Sequence, residues 1–176
     1  AGTRQQYGKP DYLPVDEKHP IHPTDVNGIN KMAGEWYHIL YNNVYGIQAV
    51  SLRLTNTYGP RQLLKHNRQG FFGWFIRQII DGEEIKIFGD GSQIRDFSYV
   101  GDTVDAFLIA GANEAAFGNI YNLGSQDRFS LKSLVELMIE IYGSGTYSII
   151  PFPEDRKKID IGDFYASFEK IKGELG

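Results

Sequence analysis

The sequence predicts an α/β protein with a largely parallel sheet. Three observations carry this reading. Segments rich in β-formers alternate with segments of helical periodicity, no repeat or low-complexity tract interrupts them, and 176 residues suffice for one domain or one and a half small ones. With 41% hydrophobic and 23% charged residues, the chain can bury a core and is not of the disordered class.

Residues 9–23 hold four prolines and read as an extended loop. Thr24 or Asp25 then offers an N-cap for a helix reaching about Tyr45, with Met32, Trp36, Ile39 and Leu40 along its apolar face and Gly46 as its stop. Gln48–Asn56 is a strand, followed at once by a turn through Gly59-Pro60. A second helix spans about Gly70 to Asp81, with Phe72, Phe75, Ile76 and Ile79 inward. Glu84–Phe88 and Gln93–Val100 are short strands around Gly89-Asp90-Gly91, whose Asp-Gly step signals a hairpin. Asp102 caps a helix to about Asn113, and Asn119–Leu123 is a short strand. Ser130 caps a helix with Leu131, Leu134, Val135, Met138 and Ile141 on one face. Thr146–Phe152 is a last strand, and Asp163 opens a final helix.

Composition removes several function classes. A net charge of −4 gives no field that would draw the chain to nucleic acid or an anionic membrane. The absence of cysteine excludes disulfides, thiolate catalysis and thiolate metal sites, and agrees with a cytoplasmic address. No apolar stretch reaches membrane-spanning length. The opening Ala1-Gly2-Thr3-Arg4, without an initiator Met or a first element, reads as the inside of a longer protein.

No glycine-rich dinucleotide fingerprint, P-loop, zinc-protease helix or nucleophile elbow is present. The histidines (His19, His22, His38, His66) lack metal-ligand spacing. Three segments remain where α/β proteins place ligands, at strand ends and helix starts. Asn56-Thr57-Tyr58-Gly59-Pro60-Arg61 sets an amide and a guanidinium where an oxyanion could sit, or is simply a turn in which Asn56 bonds its own backbone. Gly89 through Asp102 puts Arg95 beside Asp96, as a surface ion pair of little energy or as a guanidinium fork for a diphosphate. Thr3 and Lys31 add a hydroxyl and an ammonium, the latter on a helix where lysines are commonly just solvated.

Together these segments resemble the nucleotide-sugar epimerase/dehydratase family of extended short-chain dehydrogenases/reductases. The family pattern R-x-x-N-x-Y-G-P-R stands as Arg53 to Arg61, and I-x-I-F-G-D-G-x-Q-x-R-D-F-x-Y-V-x-D runs without a gap from Ile85 to Asp102. Asn119 to Gly124 and the closing Lys172-Gly-Glu-Leu175-Gly176 are similar to later family segments, so the likeness covers nearly the whole chain.

The resemblance implies the C-terminal part of a Rossmann-type doubly wound sheet plus a smaller mixed α/β substrate-binding lobe. Residues 1–60 would be the remnant of the dinucleotide-binding domain, with catalytic strand, active-site helix and following strand. Residues 61–176 would be the nucleotide-sugar lobe, some strands returning to the first sheet. NAD or NADP would be held mainly by an N-terminal half outside this sequence, with Lys31 and Leu54 at its edge here. Thr3 would hydrogen-bond the sugar hydroxyl being oxidised, and Lys31 would hold the nicotinamide ribose. Asn56 and Arg95 would contact the diphosphate, with Arg156 a second phosphate candidate and Arg61 among the substrate-binding residues, and the backbone of Lys86, Ile87 and Phe88 would line the nucleobase. A nucleotide-diphosphate sugar as partner and a homodimer of the full-length protein follow from the same likeness.

Two positions depart from the family pattern. The family's proton-transfer tyrosine stands four residues before the lysine, and here that position is Asn27. An amide does not ionise near neutral pH and cannot act as a phenolate base; Tyr7, Tyr37 and His22 are candidate replacements. Family dehydratases follow the catalytic threonine with Asp-Glu, whereas Arg4 and Gln5 stand here, so neither acid for elimination is present. What remains is hydride removal and return. The reading is therefore a nucleotide-sugar epimerase acting at C4 through a transient keto sugar with NAD. A nucleotide-sugar-binding protein without turnover and an NADPH-dependent keto-sugar reductase are the alternatives. Two structural expectations accompany it: Arg95 and Asn56 converge on one cleft, and the helix over 25–45 leaves an apolar face uncovered, which favours self-association.

Overall fold

The computed structural model describes residues 1–65 and 70–176, so His66 lies outside the described residues. In chain order the elements are β1 (Gly2–Thr3), a 3-10 turn at Arg4–Gln6, α1 (Val26–Tyr45), β2 (Ser51–Leu54), β3 (Asn56–Tyr58), α2 (Phe71–Asp81), β4 (Ile85–Phe88) and β5 (Ile94–Tyr99). They continue with α3 (Val100–Ala112), a 3-10 turn at Glu114–Ala116, β6 (Ile120–Leu123), β7 (Arg128–Ser130), α4 (Leu131–Tyr142), β8 (Tyr147–Ile150), α5 (Glu154–Lys157) and α6 (Glu169–Leu175). Strands β1, β2 and β6 form a parallel sheet in that order, with Thr3 opposite Leu54 and Leu54 opposite Leu123. A second sheet orders β3, β5 and β7, the last antiparallel, and β4 pairs with β8 in parallel. Among the described residues no helix is long and apolar enough to cross a membrane.

Helix α1 starts where its cap demands. Asp25 accepts the Gly28 amide at 2.7 Å, and Gly46 ends the helix in the left-handed conformation. Its buried face differs from the apolar stripe the sequence suggests. Gly28, Glu35 and Ile39 face inward, while Trp36 and Leu40 are 56% and 51% exposed. A hydrophobicity pattern cannot register an inward glutamate, and Glu35 is inward because Arg53 receives it. Exposed beside Trp36 and Leu40 are Tyr41, Val44 and Tyr45, so α1 does leave an apolar face uncovered in this chain.

Strand identity was easier to read than strand pairing. Gly89-Asp90-Gly91 does not close a hairpin, because β4 pairs with β8 whereas β5 pairs with β3 and β7. The left-handed glycines (φ 74° and 73°) and the Asp90 carboxylate, bonded to the Ser92 amide and hydroxyl, instead hand the chain from one sheet to the next. The amides of Leu131 and Lys132 pin this loop to the start of α4 through the carbonyls of Gln93 and Gly91. The strand expected over 48–56 divides at Thr55 between the first two sheets. Asp102 lies inside the first turn of α3 rather than at its cap. Asp163 does not open a helix; its carboxylate accepts the Ile94 amide, and helix α6 begins only at Glu169. Ser130 caps α4 as expected, but Ile141 is 77% exposed.

Among the described residues the interior holds three apolar clusters, centred on Leu52 and Tyr121, on Ile85, Ile87 and Val135, and on Tyr7, Val15 and Phe164. Between the first and third lies a buried polar network. The Arg53 guanidinium grips the Glu35 carboxylate through Nη2 (2.6 Å) and Nε (3.1 Å), and Ser51 donates to the same carboxylate at 2.7 Å. Arg53 Nη1 also donates to the Tyr7 hydroxyl, which donates in turn to Asn122 Oδ1, both at 2.6 Å. Asn122 continues to the Val15 carbonyl. One ion pair thus joins α1, β2, β6 and the proline-rich loop. Removing one partner of such a pair strands the other charge, so Arg53→Met should lower the unfolding free energy by about 3–5 kcal/mol. Adding Glu35→Met should recover much of the loss. Chemical unfolding of the two variants checks both expectations.

Candidate functional site

A cleft of about 360 Å³ opens at the C-terminal ends of β1 and β2. Thr3, Asn27, Lys31, Leu54 and Asn56 all line it, together with Gln62, Phe71 and Phe72. Open α/β sheets place ligands at this end of their strands. Local structure explains the gathering. Thr3 ends β1 and caps the following 3-10 turn, accepting from the Gln5 amide at 3.4 Å. Gly28 lets the first turn of α1 press on that turn, since a Cβ there would collide with the Gln5 carbonyl. Asn27 and Lys31 sit one helical turn apart, and Lys31 Nζ reaches back to the Ala1 carbonyl at 3.1 Å.

Asn27 does not stand alone. Its Nδ2 donates to Gln5 Oε1, Gln5 Nε2 donates to Asp25 Oδ2 at 2.6 Å, and Thr3 Oγ1 lies 3.4 Å from Gln5 Oε1. Sequence reasoning treated Gln5 only as a missing acid and Asp25 only as a cap. The available signal was their joint spacing, with two polar side chains flanking the Thr3 and Asn27 positions. Lys31 is the one ionisable side chain among the described residues lining the cleft.

The replacement bases lie elsewhere. Tyr7 is fully buried and committed to Arg53 and Asn122, and burial raises its pKa further. Neither His22 nor Tyr37 lines the cleft, and both are exposed. His19, in the proline-rich loop, is buried, accepting the Asp11 amide at Nε2 with Nδ1 against the Pro20 carbonyl. Among the described residues no three His, Asp or Glu side chains could hold a metal ion.

The anion-binding candidates scatter. Asn56 is in the cleft, its Nδ2 donating to the Asp96 carbonyl at 2.9 Å. Arg61 lines an adjoining aromatic hollow with Tyr58, Phe72 and Tyr99, in a left-handed backbone conformation (φ 67°). Arg95 does not line the cleft with Asn56, although their strands are neighbours. Its guanidinium is buried and needs acceptors, which the carbonyls of Ile94 (2.8 Å) and Gly162 (2.5 Å) supply, with Asp160 at 3.8 Å. Arg156 is exposed on α5. In β4, Lys86 is exposed, Ile87 is buried, and the Phe88 ring packs on Phe152.

The NAD dependent epimerase/dehydratase family matches residues 1–124. The chain belongs to that family. Among its relatives are the UDP-glucose 4-epimerases of Mycolicibacterium smegmatis, 38% identical over 73% of this chain and 40% of that protein, and of Corynebacterium glutamicum, 32% identical over 100% and 56%. Among solved structures, the UDP-glucose 4-epimerase of Thermotoga maritima with UDP-glucose superposes with a TM-score of 0.86 at 30% identity, covering 99% of this chain and 55% of that one. The UDP-glucuronic acid 4-epimerase of Bacillus cereus, in complex with UDP-glucuronic acid and NAD, gives 0.83 at 26% identity, covering 99% and 53%. The chain therefore has a Rossmann-type α/β fold of this epimerase/dehydratase group, and it spans about half the length of the curated relatives it matches.

Beside the cleft, Asp96 is a buried carboxyl whose Oδ2 accepts the Ala166 amide at 3.0 Å. Burial pushes it up to about 6, only partly offset by that amide and the nearby Arg4 guanidinium. Arg4 is itself drawn down to about 10 by burial and then by the like charge of Arg95. A carboxyl that holds its proton more tightly when folded makes stability fall as pH rises from about 4, its unfolded value, to about 6. Asp96→Asn keeps an acceptor for Ala166. It should flatten that slope and raise stability above pH 6 by up to about 3 kcal/mol, as read from chemical unfolding across this pH range.

Proposed function

We propose that this chain carries the nucleotide-sugar half of an NAD-dependent epimerase acting at C4 through a transient keto sugar. The observation behind it is the gathering of Thr3, Asn27, Lys31, Leu54 and Asn56 in one cleft at the strand ends. The residues present fit one edge of a nicotinamide ribose: Lys31 offers ammonium donors and Leu54 an apolar surface at the open end of β2. When bound, the dinucleotide supplies a hydride acceptor and donor. The chain itself holds and orients the sugar. The Thr3 hydroxyl meets the reacting hydroxyl, and the Lys31 ammonium holds the nicotinamide ribose. By the same reading the diphosphate falls to Asn56, Arg61, Arg95 and Arg156, whose amide and guanidinium groups suit phosphate oxygens. Arg95 would exchange the Gly162 carbonyl for one of them. The nucleobase falls to the backbone of Lys86–Phe88.

The absence of an Asp-Glu pair after Thr3 supports epimerisation over water elimination, because Arg4 and Gln5 offer no acid there. A homodimer and a cytoplasmic setting belong to the same reading. The uncovered face around Trp36 and Leu40 supports the first, and the cysteine-free composition supports the second. Asn27 favours a second reading, a nucleotide-sugar-binding protein without turnover.

Asn27→Tyr separates the two. In the full-length protein supplied with NAD, a tyrosine one turn before Lys31 should raise interconversion of UDP-glucose and UDP-galactose. General acid–base groups contribute about 10²–10⁴-fold, so a poorly seated phenol should still be visible. Binding without turnover in both proteins supports the second reading; neither binding nor turnover across a panel of nucleotide sugars contradicts both.

A further inference from the structure

The hydrogen bonds around Asn27 have a direction that chemistry fixes. An ionised aspartate only accepts, and both oxygens of Asp25 are engaged: Oδ1 receives the Gly28 amide at 2.7 Å and Oδ2 receives Gln5 at 2.6 Å. Gln5 must therefore turn its NH₂ towards Asp25, which leaves its carbonyl oxygen for Asn27. Asn27 must in turn give its NH₂ to Gln5, and its own Oδ1 is the end left for the cleft it lines. The orientation of two amides, which geometry alone leaves ambiguous, is set by a helix cap.

Resting on the function proposed above, we infer that Asp25 and Gln5 lock Asn27 as a hydrogen-bond acceptor, making the site select a sugar hydroxyl over a group that cannot donate. The family tyrosine position here lacks a base, and with its NH₂ held by Gln5 it turns an acceptor oxygen to the cleft. Thr3 strengthens the lock, because its Oγ1 stands within 3.4 Å of both the Gln5 amide and Gln5 Oε1. Gly28 keeps the two amides close by admitting the Gln5 carbonyl against the helix. Gln5 and Asp25 are positioning residues: they act through Asn27 without needing to touch the sugar.

The test compares binding of UDP-glucose with binding of its 4-deoxy-4-fluoro analogue, which replaces a donor by an atom that cannot donate. Titration calorimetry on the full-length protein with NAD should give about a tenfold preference for UDP-glucose, the range expected for one neutral hydrogen bond and its unmet acceptor. Gln5→Met keeps the side-chain volume but frees Asn27 to rotate, and should bring the ratio close to one while leaving the analogue's affinity nearly unchanged. Asp25→Asn preserves the cap yet lets Gln5 flip, so an intermediate ratio should follow. A merely structural role would weaken both ligands together. Equal binding of the two ligands by the unaltered protein, or an unchanged ratio in both variants, overturns the inference while nucleotide-sugar binding stands. Failure of the unaltered protein to bind any nucleotide sugar overturns the proposed function and this inference with it.

Discussion

The buried pair between Glu35 and Arg53 is the constraint on which the rest of the structure depends. Two charges removed from water stabilise a fold only if their remaining hydrogen-bonding capacity is met. Here Ser51, Tyr7 and Gln6 meet it, and Asn122 closes the network onto the proline-rich loop. Satisfying one carboxylate fixes the azimuth of α1, the height of β2 and the path of residues 7–15. The cleft inherits this: Lys31 lies one turn before Glu35 on α1, and Leu54 one residue after Arg53 on β2. The cleft-lining residues are thus carried on elements that this buried pair orients.

Local structure was legible in the sequence wherever chemistry acts over a few residues. Asp25 and Ser130 cap their helices, Gly46 ends α1, and the strand centres fall where β-formers cluster. Pairing was not legible, because an Asp-Gly turn looks alike whether it closes a hairpin or passes a chain between sheets. Burial failed at Trp36 and Leu40 for a related reason: their apolar character is real, but the inward face of α1 was chosen by Glu35. The site residues came from a motif likeness, and five of them share the cleft. Arg95 was read as a guanidinium fork for a diphosphate, whereas its burial has already given it the carbonyl of its neighbour Ile94 and that of Gly162, 67 residues away in sequence.

Gln5 and Asp25 mark the limit of motif reading. Neither belongs to a recognised pattern, and each has an ordinary local explanation. Only their meeting across 20 residues of sequence, at 2.6 Å, shows that the helix cap and the second position after Thr3 form one device. The same device accounts for how Asn27 is tolerated where a phenol stands in the family pattern. It is held by neutral hydrogen bonds and carries no charge for Lys31 to stabilise, which leaves Lys31 as the ionisable side chain described in the cleft.

Removal of a hydride from a sugar carbon and its return to the same carbon is the chemistry proposed for this cleft. Its most direct test is nuclear magnetic resonance of the full-length protein with NAD and UDP-glucose deuterated at C4. Removal and return predict UDP-galactose that retains the deuterium at C4, with no net reduction of the dinucleotide. Product in which the label has exchanged with solvent, or has been lost to the dinucleotide as net reduction, would contradict it.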